Sequence, residues 1–125
     1  MKFLAVDDSP TMRRIVANTL RRIGYDDIVE AANGKDALAK LYSEKIDFII
    51  TDWNMPEMDG LEFIQAIKSD DNYKELPILM ITTRGVKDDI LEAMKAGVSS
   101  YIVKPFTPQT LKEKIESILQ LDGSN

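Results

Sequence analysis

Short, continuous apolar runs alternate along the chain with longer stretches in which apolar residues recur every three or four positions. The runs are Lys2–Val6, Ile28–Ala31, Ile46–Thr51, Pro77–Ile81 and Tyr101–Val103. Each has the length of a strand and the character of a buried one. The stretches between them carry helical spacing: Met12, Ile15, Val16, Thr19, Leu20 and Ile23; then Ala37, Leu38 and Leu41; then Leu61, Phe63, Ile64 and Ile67; then Ile90, Leu91 and Met94; then Leu111, Ile115, Ile118 and Leu119. Ser9-Pro10 predicts an N-cap with proline at the first helical position, Asn33-Gly34 opens the second helix, and Gly24 and Gly97 are stops. Asp122–Asn125 reads as a frayed end.

The pattern is a strand followed by a helix, five times over. Strands joined by helices of this length run parallel with right-handed crossovers. The prediction is an α/β, flavodoxin-like (βα)5 doubly wound parallel sheet with strand order 2-1-3-4-5. Its 125 residues fit one domain, residues 1–125, with no output domain.

Composition narrows the function. A content of 44% hydrophobic and 30% charged residues is that of an ordinary globule. No cationic, apolar leader opens the chain, and no run reaches the ~20 apolar residues of a membrane span, so the expectation is a cytoplasmic, unprocessed monomer with no membrane partner. Net charge −5 argues against nucleic acid. With no cysteine and no histidine, any histidine-based step has to come from another protein.

All strands of a parallel sheet end at one edge, where open α/β sheets bind ligands. The first delivers Asp7-Asp8, the third Asp52, the fourth Thr82 and the fifth Lys104. Clustered carboxylates persist only when a cation or proton compensates them. Oxygen-only ligands favour Mg²⁺. The set leaves room for one more oxygen acceptor, and a phosphoryl group suits it, with Mg²⁺ on one side, Lys104 on the other and Thr82 donating. Asp52, the central carboxylate, is then the nucleophile.

These residues, with the run Asp52-Trp-Asn-Met-Pro-Glu-Met-Asp-Gly60 and Lys104-Pro105, resemble the receiver domain of two-component response regulators, from Lys2 to about Leu121. Trp53, Asn54 and Tyr101 make the resemblance strongest to the chemotaxis branch of that family. It implies that Asp52 takes a phosphoryl group from a phosphohistidine on a sensor histidine kinase. It implies that Asp8, Asp52 and the main-chain carbonyl of Asn54 hold Mg²⁺, with Asp7 reaching it directly or through water. Thr82 would swing to the phosphoryl group, Tyr101 would turn inward, Lys104 would bind the phosphoryl group, and the Lys104–Pro105 bond would be cis. The face of the fourth helix, fifth strand and fifth helix would bind the flagellar motor switch protein, and a dedicated phosphatase would reverse the signal. The protein would be a switch rather than an enzyme, acting on itself alone.

Taken singly, these residues have plainer readings. Lys104 could be a solvated loop lysine, Tyr101 an edge aromatic, and Arg84 a solvated arginine. Arg84 nonetheless lies two residues after Thr82, where a side chain can overhang the phosphoryl group and, with Asn54, modulate dephosphorylation. Met12, Met80 and Met94 fall at core-like positions, and Trp53, Met55 and Met58 where they would cover the site. A Mg²⁺-dependent phosphatase of the haloacid dehalogenase type also uses an aspartyl phosphate, but it needs an acid where Asn54 stands. The alternative within the family is a single-domain phosphorelay intermediate; Tyr101 and the Trp53-Asn54 pair favour the motor.

Overall fold

The computed structural model describes residues 1–53, 55, 58–83 and 87–121. In chain order the elements are β1 (Phe3–Val6), α1 (Pro10–Arg22), β2 (Ile28–Ala31), α2 (Gly34–Ser43), β3 (Phe48–Asp52), α3 (Gly60–Lys68), β4 (Ile78–Thr82), α4 (Lys87–Ala96), β5 (Ser100–Val103) and α5 (Pro108–Leu121). The strands form one parallel sheet in the order β2-β1-β3-β4-β5, as the sequence predicts.

Both faces of the sheet are covered. Phe3, Ala5, Phe48, Ile50, Leu79 and Ile81 point to one face, where they pack with Val16 and Leu20 of α1 and Leu111, Ile115 and Ile118 of α5. Leu4, Val6, Ile49, Ile78 and Met80 point to the other and meet α2, α3 and α4. Two-sided burial explains why β1, β3 and β4 read as unbroken apolar runs rather than alternating ones.

The helix starts are capped by side chains. Ser9 Oγ accepts from the Met12 amide at 3.2 Å, Asn33 Oδ1 from Asp36 at 2.8 Å and Asp59 Oδ1 from Glu62 at 2.9 Å. Gly24 (φ +107°) and Gly97 (φ +114°) take the left-handed backbone that closes α1 and α4. Among the described residues no helix is long and apolar enough to cross a membrane. Asp122–Asn125 lie outside the described residues.

Two helical faces differ from the sequence reading. In α4 the buried residue is Ala93, and Leu91 and Met94 are 46% and 44% exposed. A small side chain at the contact lets an edge helix sit close, so its larger residues are turned outward. In α1 the buried stripe is Val16, Ala17 and Leu20, while Ile15 is exposed and Met12 half-buried, both bordering a hollow near the β5–α5 loop. Of the three methionines read as core, Met80 alone is fully buried.

Candidate functional site

Sheet register brings the predicted residues together. Val6 pairs with Thr51, so Asp7 emerges level with Asp52. Asp52 pairs with Ile81 and Thr82 with Val103, so Thr82 and Lys104 each lie one step beyond their neighbour's last pair. The Lys104 amide donates to the Thr82 carbonyl at 2.8 Å, extending the sheet by one bond.

Asp7, Asp8 and Asp52 each offer an oxygen, all within 4.8 Å of one another. Asp7 and Asp52 are buried, at 4% and 7% exposure, and Asp8 faces solvent. Lys104 Nζ lies 3.2 Å from Asp7 Oδ2 and 3.7 Å from Asp52 Oδ1, and its side chain is largely buried. Among the described residues, the Lys104 ammonium thus pairs with two of three clustered carboxylates. The acidic donors are all hard oxygens, and such a set fits a small divalent cation.

Asp7 is held by the chain around it. Its carboxylate accepts from the Ser9 amide at 2.9 Å, and its carbonyl accepts from Arg13 Nη1 at 2.7 Å. Arg13 Nε in turn lies 3.5 Å from Glu30 Oε1 on β2. Sequence reasoning missed Arg13 and Glu30. Their contacts cross from a helix to the ends of two strands, and no periodic spacing announces such a meeting.

Thr82 is fully buried and Thr83 exposed. The Lys104–Pro105 peptide is cis. Tyr101 is half-buried against the α4 side of the core, with Lys114 Nζ 5.4 Å from its ring centroid. Asn54 and Arg84 lie outside the described residues, as do Pro56 and Glu57 of the turn.

Trp53 is seated against the start of α3. Its amide donates to Ile81 and its carbonyl accepts from Gly60, at 3.0 and 2.9 Å, and its buried ring packs against the start of α3. A Cβ at Gly60 would stand 2.7 Å from the Trp53 carbonyl oxygen, so only glycine permits this approach. Met55 is buried in the same cluster, and Met58 packs over Gly34 at the start of α2. Beside Lys104, Met12, Ile15, Thr83, Pro105 and Phe106 line an apolar hollow of about 380 Å³.

The arrangement can hold a small divalent cation and one more oxygen ligand. Residues 3–116 match the response regulator receiver domain family, and the chain belongs to that family. It is 57% identical to the chemotaxis protein CheY1 of Helicobacter pylori over 120 residues, covering 95% of this chain and 97% of the relative. It is 54% identical to the chemotaxis protein CheY homolog of Campylobacter jejuni, covering 95% and 92%. The solved structure of chemotaxis protein CheY4 of Vibrio cholerae superposes with a TM-score of 0.88 at 42% identity, covering 94% of this chain and 98% of that one.

Proposed function

We propose that Asp52 accepts a phosphoryl group from a phosphohistidine of a CheA-like sensor kinase, and that the phosphorylated protein binds a FliM-like flagellar motor switch protein. The pathway is chemotaxis, given CheY-named relatives at 51–57% identity over nearly the whole chain. Residues 1–125 act as one receiver unit, a cytoplasmic monomer whose own chemistry is limited to gaining and losing its phosphoryl group. The single observation that carries the reading is the convergence of Asp7, Asp8 and Asp52 within 4.8 Å, with Lys104 Nζ between Asp7 and Asp52.

In the reaction a carboxylate oxygen of Asp52 bonds to phosphorus, the P–N bond to the partner's imidazole breaks, and that nitrogen takes a proton from solvent. Asp7, Asp8 and Asp52, with the main-chain carbonyl of Asn54, would hold Mg²⁺. A bound Mg²⁺ neutralises the carboxylates and the oxygens of the transferring group. Lys104 is already paired with Asp52, so its ammonium needs only a short movement to meet a phosphoryl oxygen there. Thr82, at the end of the neighbouring strand, is assigned the hydroxyl donor to that group, and Arg84 the modulation of dephosphorylation. The apolar hollow bordering Lys104 suits the approach of a helix carrying the phosphohistidine. Leu91, Met94 and Val103, at 46%, 44% and 37% exposure, supply with Tyr101 the apolar output face.

Trp53, the sole tryptophan, reports on the residue before it. Its fluorescence is expected to change with Mg²⁺ and again with acetyl phosphate, with the second change lost in Asp52→Asn. A phosphodonor response that survives Asp52→Asn would remove Asp52 as the acceptor.

A further inference from the structure

Asp7 is anchored at four points: its amide on the Ala31 carbonyl at 3.2 Å, its carboxylate oxygens on the Ser9 amide and Lys104 Nζ at 2.9 and 3.2 Å, and its carbonyl under Arg13 Nη1 at 2.7 Å. The last anchor differs in its consequence. The Asp7 carbonyl and the Asp8 amide belong to one rigid peptide plane. A side chain that grips the carbonyl therefore also sets the direction in which Asp8 leaves the strand. Asp8 is the exposed member of the acidic cluster, and among the described residues no hydrogen bond holds its carboxylate.

Arg13 could equally have been a hindrance, since a cation beside the carboxylates repels a divalent ion. Glu30 Oε1, 3.5 Å from Arg13 Nε, balances that charge. The arginine is largely buried, at 18% side-chain exposure, and its planar fork serves both acceptors at once. The pair thus grips the peptide while adding little positive field.

We propose that Arg13, balanced by Glu30, is a positioning residue for the metal site, fixing the Asp7–Asp8 peptide so that the Asp8 carboxylate stays within reach of the cation. This rests on the Mg²⁺ reading given above. The two roles open to Arg13 predict opposite signs. If Arg13 acted as a charge, its removal would tighten Mg²⁺ binding; as a positioning residue, its removal weakens it.

The test is Mg²⁺ titration of the full chain by Trp53 fluorescence and by calorimetry, for wild type, Arg13→Ala and Arg13→Lys. Arg13→Ala is expected to bind Mg²⁺ about tenfold more weakly, equivalent to about 1.4 kcal/mol. Arg13→Lys, which keeps a donor but loses the fork, is expected to fall between the two and serves if the alanine variant does not fold. A metal-free arm measures the order parameter of the Asp8 amide, expected to fall in Arg13→Ala from about 0.85 toward about 0.6. Unchanged or tighter Mg²⁺ binding in both variants overturns the proposal, and so does an Asp8 amide as rigid as in wild type. A wild type without Mg²⁺ response in calorimetry would sink the metal reading and this proposal with it, whereas a Mg²⁺-binding wild type with unweakened variants would overturn this proposal alone.

Discussion

Asp52→Asn should make the metal-free protein more stable, although it destroys the proposed function. The substitution is nearly isosteric and removes one charge from a buried side chain. With an effective dielectric of about 20, two like charges no more than 4.8 Å apart repel by about 3.5 kcal/mol or more, and the 3.7 Å Lys104–Asp52 pair attracts by about 4.5 kcal/mol. Removing the Asp52 charge weakens its pairing with Lys104 and relieves two repulsions, while asparagine keeps an oxygen that still accepts hydrogen bonds. The repulsion from buried Asp7 counts nearly in full; that from exposed Asp8 is screened to about 1 kcal/mol. Those terms roughly cancel, and relief of the desolvation of a buried carboxylate tips the balance. The net expectation is about 1–2 kcal/mol of stabilisation, an increase of about 4–8 °C in melting temperature for a domain of this size. Mg²⁺ should reverse the order. At a hundredfold excess over Kd it adds about 2.7 kcal/mol to the wild type and much less to a variant lacking a central ligand. Thermal melts in chelator and in saturating Mg²⁺ check both halves. A lower melting temperature for Asp52→Asn in chelator would show that the Lys104 attraction dominates, and would refute the reasoning.

Gly60→Ala should destabilise the protein by about 1–3 kcal/mol and shift Trp53 emission, because the new methyl meets the Trp53 carbonyl oxygen and Cα at 2.7 and 2.8 Å; urea unfolding followed by fluorescence measures both. Burial, with Glu116 adding to it, raises the Tyr25 phenol above its ordinary value. A folded-state pKa raised above the unfolded one means stability present below about pH 10 and lost as pH rises through the folded value. Tyr25→Phe should flatten that alkaline loss, and melts from about pH 8 to 11 would expose the idea as wrong if the two proteins decline in parallel. Met94→Lys, on the exposed face of α4, should leave stability within about 0.5 kcal/mol and abolish binding to the motor switch partner, read by calorimetry on phosphorylated protein.

How much of this could be read from the sequence depends on how local each signal is. The three central strands were legible because burial on both faces leaves unbroken apolar runs, and Ser9, Asn33, Gly24 and Gly97 mark helix ends by chemistry confined to a few residues. The convergence of Asp7, Asp8, Asp52, Thr82 and Lys104 followed from topology alone, since a parallel sheet puts every strand end on one edge. The resemblance to receiver domains, and not spacing, supplied the cis Lys104–Pro105 peptide. Side-chain direction was lost where it depends on neighbours far along the chain. Ile90, Leu91 and Met94 have helical spacing, but the contact that seats α4 belongs to Ala93. Trp53 and Met58 look like a lid in sequence and are drawn to α3 and α2 by Gly60 and Gly34, whose missing side chains make the space.

On the proposed function, the same geometry bounds how strongly phosphorylation can act at a distance. Lys104 directly follows β5, an edge strand paired on one side only, and the outer residues of that strand, Tyr101 and Val103, belong to the output face. A phosphoryl group on Asp52 replaces one negative charge by about −1.5 to −2. At the present 3.7 Å separation the added charge strengthens the Lys104 attraction by at most about 4.5 kcal/mol, and only in the form that lets the ammonium follow it. Turning an equilibrium from about 1:99 to 99:1 takes about 5.5 kcal/mol of differential binding. Lys104 alone therefore falls short of a complete switch. A second group must discriminate between the two forms, and Thr82, on the strand between Asp52 and Lys104, is the residue whose hydroxyl can do so with one charge-assisted hydrogen bond of about 1.5–3 kcal/mol. Thr82→Ala should then leave Mg²⁺ binding and phosphorylation intact while lowering the affinity of the phosphorylated protein for its output partner about tenfold or more. Equal output affinity in wild type and Thr82→Ala would mean that Lys104 works with some other donor.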